Sequence, residues 1–221
     1  MNSVTMRTRG GAETTVGEEA VSGLGASLAG ELLTSEHPDY EKARSLWNAM
    51  IDKHPGLIAR CQGASDVAKV VRFAQEYDLL LAIKGAGHNI AGRGVCDGGI
   101  VIDFAKMKSI QVDVEGRTAR VEAGCTLGYL DEATQPHGLA IPVGINSTSG
   151  IAGLSLGGGF GWMSRKHVLT VDSLISATVV TAEGEEITAS TTENCDLFWA
   201  IRGGGGNFGV VTSFEFDLHP M

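Results

Sequence analysis

Ile83-Lys84-Gly85-Ala86-Gly87-His88-Asn89 places a histidine at the end of a glycine-opened turn that directly follows an apolar strand. Gly85 and Gly87 can adopt positive φ and turn backbone N–H groups inward as a nest for an anion. His88 sets a nucleophilic or proton-accepting imidazole beside that nest. A phosphate-bearing redox cofactor would use both.

The flanking sequence supplies the scaffold for this turn. Upstream, Ala43, Leu46, Trp47 and Met50 recur at helical spacing between Tyr40 and Asp52, and His54-Pro55-Gly56 ends that element. A short extended piece, Leu57–Cys61, precedes a helix with Ser65 as its N-cap and Val67, Val70, Val71 and Ala74 as its apolar face. The strand Leu79–Ile83 then delivers the chain to His88 in a β-α-β sequence. Residues 1–29, rich in Gly, Ser, Thr and Glu without periodicity, read as a flexible tail, with the fold starting near Gly30.

Downstream the pattern changes to short strands, Ile100–Asp103, Ser109–Asp113 and Thr118–Ala123, with Glu115-Gly116 connecting the last two as a hairpin. Thr126 caps a helix that runs through Gln135, and Leu139–Ile141 leads into a second glycine-rich region. Beyond it come a hairpin of Leu174–Thr181 with Glu186–Ala189, a helix Asp196–Ile201, and a last strand in which Val210, Thr212, Phe214, Phe216 and Leu218 alternate. The whole reads as α+β, one domain over residues 30–221 with two lobes.

With 221 residues, 43% hydrophobic and 19% charged, the chain is long enough for a sizeable core. Its 31 glycines are about twice the usual share of ~7% and imply backbone that a ligand approaches closely. The net charge of −9 and the lack of a basic run exclude nucleic acid as partner. Cys61, Cys96, Cys125 and Cys195 lie far apart without a Cys-x-x-Cys pair, so they read as buried thiols of a reduced, cytoplasmic protein rather than as a zinc or dithiol site. No signal segment and no membrane-spanning run is legible.

Pro142 to Gly161 holds seven glycines in twenty residues, enough to line a wall of exposed amides and hydroxyls against a long dinucleotide. Three familiar spellings fail on context. Gly204-Gly205-Gly206-Asn207-Phe208-Gly209 fits G-x-G-x-x-G but follows a helix and enters a strand, the reverse of the Rossmann order. Gly153-Leu154-Ser155-Leu156-Gly157 fits G-x-S-x-G, yet no strand precedes it, which removes a serine hydrolase. A phosphate-binding Walker loop is excluded because the chain contains no Gly-Lys dipeptide.

Four segments in order, Lys84 to Asn89, Gly144 to Gly161, Leu169 to Leu174 and Asp196 to Gly209, resemble the FAD-binding domain of the FAD-linked oxidases, the berberine-bridge-enzyme-like and vanillyl-alcohol-oxidase-type flavoproteins. The resemblance covers roughly residues 30 to 220. It implies the PCMH-type FAD-binding fold, two-lobed α+β with mixed sheets and flanking helices, with the FAD diphosphate and adenine between the lobes.

By the same resemblance His88 is the residue joined covalently to the flavin 8α-methyl carbon. Backbone groups of Gly85, Ala86, Gly87 and Asn89, beside Lys84, hold the pyrophosphate. Gly144, Ser147, Thr148, Gly150, Gly153, Gly158, Gly159 and Gly161 line the rest of the cofactor, and Val211 lies near the adenine. Asn146 stands where some relatives have a second, cysteine attachment, which implies a single link here. Relatives continue into a substrate-binding domain that carries the general base, and that domain is expected to be absent from a chain ending at Met221. Lys84, Arg93 and His167 read as solvated side chains, so no catalytic residue is assigned. The implied activity is oxidation of a small organic substrate at flavin N5, or FAD binding by a module that needs a homo-oligomer or a complementing subunit.

Overall fold

The computed structural model describes residues 3–221, which divide into two units: residues up to 106 with 182–185, and residues 107–181 with 186–221. The first unit is built on three short apolar strands, two of which, Leu57–Arg60 and Ile100–Asp103, are buried on both faces. β4 (Leu57–Arg60) and β5 (Leu81–Lys84) flank β6 (Ile100–Asp103) in parallel, and β3 (Glu31–Leu33) closes one edge antiparallel to β4. Helix α3 (Ala64–Glu76) crosses from β4 to β5 and buries Val67, Val70, Val71 and Ala74, the face that the apolar spacing predicts. Its N-cap is Gly63 rather than Ser65, which sits inside the first turn. The carboxylate of that turn, Asp66, is buried and accepts the N–H groups of Ala29, Gly30 and Gln62 at 2.9–3.0 Å, so its charge is satisfied by three backbone donors.

Residues 4–27 are not a tail. β1 (Val4–Arg7) and β2 (Glu13–Val16) form an antiparallel hairpin, and α1 (Glu18–Ser27) follows. Met6, Val16, Val21 and Leu24 are buried, and Arg7 bonds through its backbone to Gly98 and Leu80. Burial of about 1.5–3 kcal/mol per such side chain outweighs the weak local propensity that the composition indicates.

The helix expected over Tyr40–Asp52 stops early, because α2 spans only Tyr40–Arg44. The Lys84 ammonium takes the carbonyl oxygens of Ala43 and Ser45, and the Trp47 N–H, which a continuing helix would give to Ala43, donates instead to Gly87 O at 3.2 Å. Tertiary partners for the backbone thus override the helical period.

The second unit carries an antiparallel five-stranded sheet in the order β11-β10-β12-β8-β7, from β7 (Ile110–Asp113), β8 (Thr118–Glu122), β10 (Leu174–Val180), β11 (Glu186–Ser190) and β12 (Val210–Asp217). Its alternation buries Ala119, Val121, Val179, Phe214 and Phe216, and the rings of Phe214 and Phe216 stack with centroids 5.7 Å apart. Both hairpins fall where the sequence places them. α4 (Leu127–Thr134) starts after Thr126 and ends in a 3₁₀ turn closed by Gly138, after which β9 (Leu139–Ala140) pairs with the short β13 (His219–Pro220). The glycine-rich region is not wholly irregular, since α5 (Ile151–Leu156) interrupts it; α6 (Ser164–His167) follows it, and α7 (Cys195–Ile201) precedes the last glycines.

Cys61, Cys96 and Cys125 are buried thiols, whereas Cys195 is exposed at the start of α7, contrary to the expectation for all four. Among the described residues no helix is long and apolar enough to cross a membrane.

Candidate functional site

The turn after β5 stands at the carboxyl ends of the parallel strands of the first unit, the end at which open α/β sheets present ligands. Gly87 has φ +77° and is buried; a Cβ there would come within 3.2 Å of Leu46 Cδ2. The positive φ excludes most side chains and lets consecutive amides face one way. Among the described residues, none of the hydrogen bonds is donated by the N–H of Gly85, Ala86, Gly87 or Asn89. Unclaimed donors of this kind are what an anion such as a pyrophosphate would need.

His88 follows, partly exposed, its ring stacked on the Trp47 indole at 5.4 Å and 22°. Lys84 is not solvated. Its side chain is buried and committed to two carbonyls, with burial as the main cause holding its ammonium below the usual lysine value. Lys84 therefore serves the loop through its backbone position and by tethering the neighbouring chain.

In the second unit the loop from Pro142 is folded rather than floppy. Asn146 Oδ1 accepts the N–H and the hydroxyl of Thr148 at 3.0 and 2.8 Å, and the Ser147 and Ser149 carbonyls accept the Gly128 and Leu127 N–H groups at the start of α4. Thr170 Oγ1 bonds Pro142 O at 2.5 Å and closes the base of the loop. A Cβ on Gly161 would lie 1.9 Å from Val143 O, so only glycine allows that approach. Gly144, Gly159 and Gly161 are half-buried, Gly150 and Gly158 are buried, and Ser147, Thr148 and Gly153 are exposed. Val211 is buried in β12 opposite Val179, so its side chain belongs to the core.

Ser155 lies within α5, fully buried, with its hydroxyl meeting no partner among the described residues, a position from which no substrate could be attacked. His167 stacks on His219 at 4.2 Å, and His219 Nε2 lies 3.0 Å from Ser173 Oγ. Burial, then His219 and Lys166, hold His167 below the usual imidazole value.

The sequence reading missed Trp47 and its neighbours. Asn48 Nδ2 donates to Ile90 O at 2.9 Å, and Lys53 Nζ to Gly92 O and Val95 O at 3.0 and 3.2 Å. The helical spacing assigned Trp47 to a buried face, and nothing local reported its pairing with a ring 41 positions away.

A family model described as an FAD binding domain matches residues 55–190, which is more than half of the chain. The chain belongs to the FAD-binding domain family of the FAD-linked oxidases. This FAD-binding domain is 40% identical to (R)-6-hydroxynicotine oxidase of Paenarthrobacter nicotinovorans over 88% of its own length and 43% of the relative. A crystal structure of 6-hydroxy-D-nicotine oxidase from Arthrobacter nicotinovorans superposes with a TM-score of 0.86 at 40% identity, again over 88% of this chain and 43% of that one. Glucooligosaccharide oxidase from Acremonium strictum, whose FAD is 6-S-cysteinyl and 8α-N1-histidyl, gives 0.84 at 32% identity, covering 91% of this chain and 43% of that one. The domain has the α+β PCMH-type fold of these neighbours, and FAD is its cofactor. It spans a little under half the length of the curated relatives it matches.

Proposed function

We propose that this FAD-binding domain is the flavin-binding half of an oxidoreductase acting on a small organic substrate, with FAD held by the two glycine-rich loops and joined covalently to His88. The row of unclaimed amides ending at an imidazole carries the reading, supported by the histidyl flavin of glucooligosaccharide oxidase. The bound group supplies the redox chemistry, accepting hydride from a substrate C–H.

The chain's own part is to bind, orient and attach. Backbone N–H groups of Gly85, Ala86, Gly87 and Asn89 neutralise the diphosphate, and Gly144, Ser147, Thr148, Gly150, Gly153, Gly158, Gly159 and Gly161 line the remainder. An imidazole nitrogen of His88 would hold the flavin through a C–N bond to its 8α carbon, replacing one methyl C–H and the imidazole N–H, with dioxygen as the two-electron oxidant that becomes hydrogen peroxide. Asn146 offers no thiolate, so attachment is single.

Purified protein should show flavin bands, and the yellow colour should stay with the acid-precipitated pellet of the wild type but not of His88→Ala. A protein that remains colourless after incubation with FAD overturns the cofactor reading. A second reading, a module that turns over substrate only with a homo-oligomeric or complementing chain, is favoured by exposed Trp162, Phe160 and Trp199 in the second unit, 85%, 77% and 78% accessible. Light scattering decides it: a monomer that oxidises substrate unaided counts against the partner.

A further inference from the structure

Residues 45–53 are irregular chain after α2, yet their polar groups, with the Ala43 carbonyl at the end of the helix, converge on the segment that carries His88. The Ala43 and Ser45 carbonyls hold the Lys84 ammonium, Trp47 N–H reaches Gly87 O at 3.2 Å, Asn48 reaches Ile90 O at 2.9 Å and Lys53 reaches Gly92 O at 3.0 Å. These contacts grip the chain on both sides of His88. Leu46 and Ile51 pack against the first-unit core and anchor the strap beneath.

At the centre of the strap Trp47 is 60% exposed and lies nearly parallel to the His88 ring. A core tryptophan would be enclosed; this one leaves much of its surface in water while covering one face of an imidazole. The lone pair of an imidazole nitrogen lies in the ring plane, so fixing the plane fixes the line along which that nitrogen can bond to carbon.

We infer that Trp47 is a positioning residue for flavin attachment, its indole setting the plane from which the His88 nitrogen meets the 8α carbon. This rests on the covalent reading of His88. Trp47 itself touches neither the bond formed nor the proton lost; it acts by removing the other orientations of the ring.

The test uses the full chain prepared without flavin and incubated with FAD, with covalent attachment followed as in-gel flavin fluorescence after denaturation and reversible binding followed by quenching of free FAD. Trp47→Ala should slow attachment by about 10-fold or more while the dissociation constant for reversible FAD stays within about 2-fold. Trp47→Phe, which keeps a flat ring, should restore most of the rate, and Trp47→Leu, which keeps apolar bulk without a plane, should not. Attachment in Trp47→Ala or Trp47→Leu at the wild-type rate overturns the positioning role and leaves the covalent reading standing. Wild-type protein that binds FAD but releases all of it on denaturation overturns the covalent reading, and this inference falls with it.

Discussion

Lys84 shows how one residue can be misjudged from its type. A lysine that opens a glycine turn reads as a surface charge, yet the ammonium is buried and spent on Ala43 and Ser45 carbonyls. Burial lowers its pKa from the ordinary 10.5, with Asp103 opposing. Because the folded value lies below the unfolded one, the charged form is disfavoured by folding. The penalty is fully present below the folded value and is relieved as pH rises through it toward 10.5. The neutral amine still donates two hydrogens to the two carbonyls. Lys84→Met should therefore destabilise by about 1–3 kcal/mol through unsatisfied carbonyls. The gap between wild type and variant should widen with rising pH, checked by urea unfolding at about pH 7 and pH 10. A gap that narrows would mean that the ammonium is stabilised in the fold.

At the scale of elements, strands and turns were largely legible because their apolar alternation and glycine punctuation are local. Ile100–Asp103 lies where the sequence puts it, and both antiparallel hairpins follow from Glu115-Gly116 and Glu183-Gly184. The misreadings share a cause in long-range partners. Residues 4–27 lack periodicity but acquire their structure from contacts with Leu80 and Gly98, and the chain after Arg44 leaves its helix because its backbone groups are claimed from the loop that holds His88. The glycine loops were legible as unusual backbone, whereas the role of Trp47 was not, since it depends on a ring brought close only by folding. The N-terminal hairpin offers a direct check. Met6 is 1% exposed, so Met6→Ala should cost about 2–5 kcal/mol, measured by denaturant unfolding; a change within ~0.5 kcal/mol would mark the hairpin as dispensable.

For the whole molecule, the composition already set the class, and the order of the motifs set the family. What remained illegible was which glycines serve the ligand and which serve the protein. Gly161 is required by the close approach of Val143 and Gly144 whether or not a ligand lies against it, whereas Gly87 combines a left-handed backbone with unclaimed amides around it. Ligand linkage gives a measurement at this scale. Reversible FAD at about 100 times its dissociation constant should add about 2.7 kcal/mol to the folded state, a rise of roughly 5–10 °C in the melting midpoint of the flavin-free His88→Ala chain. Thermal melts with FAD and with free riboflavin separate the contributions, since riboflavin lacks the diphosphate and should shift the midpoint far less. Equal shifts would mean that the amide row is not the diphosphate cradle.

The bonds from Arg7 to Leu80 and Gly98 also set a timetable for synthesis. The β1–β2 hairpin leaves the ribosome long before Leu80 and Gly98 exist, and the acceptor at Gly98 follows Arg7 roughly 90 residues later, about 5 to 20 s at ordinary elongation rates. Throughout that interval the Met6 side chain has no core to enter. The hairpin therefore passes through a window in which holding chaperones have a greasy handle to grasp, and slower translation between Arg7 and Gly98 would lengthen it.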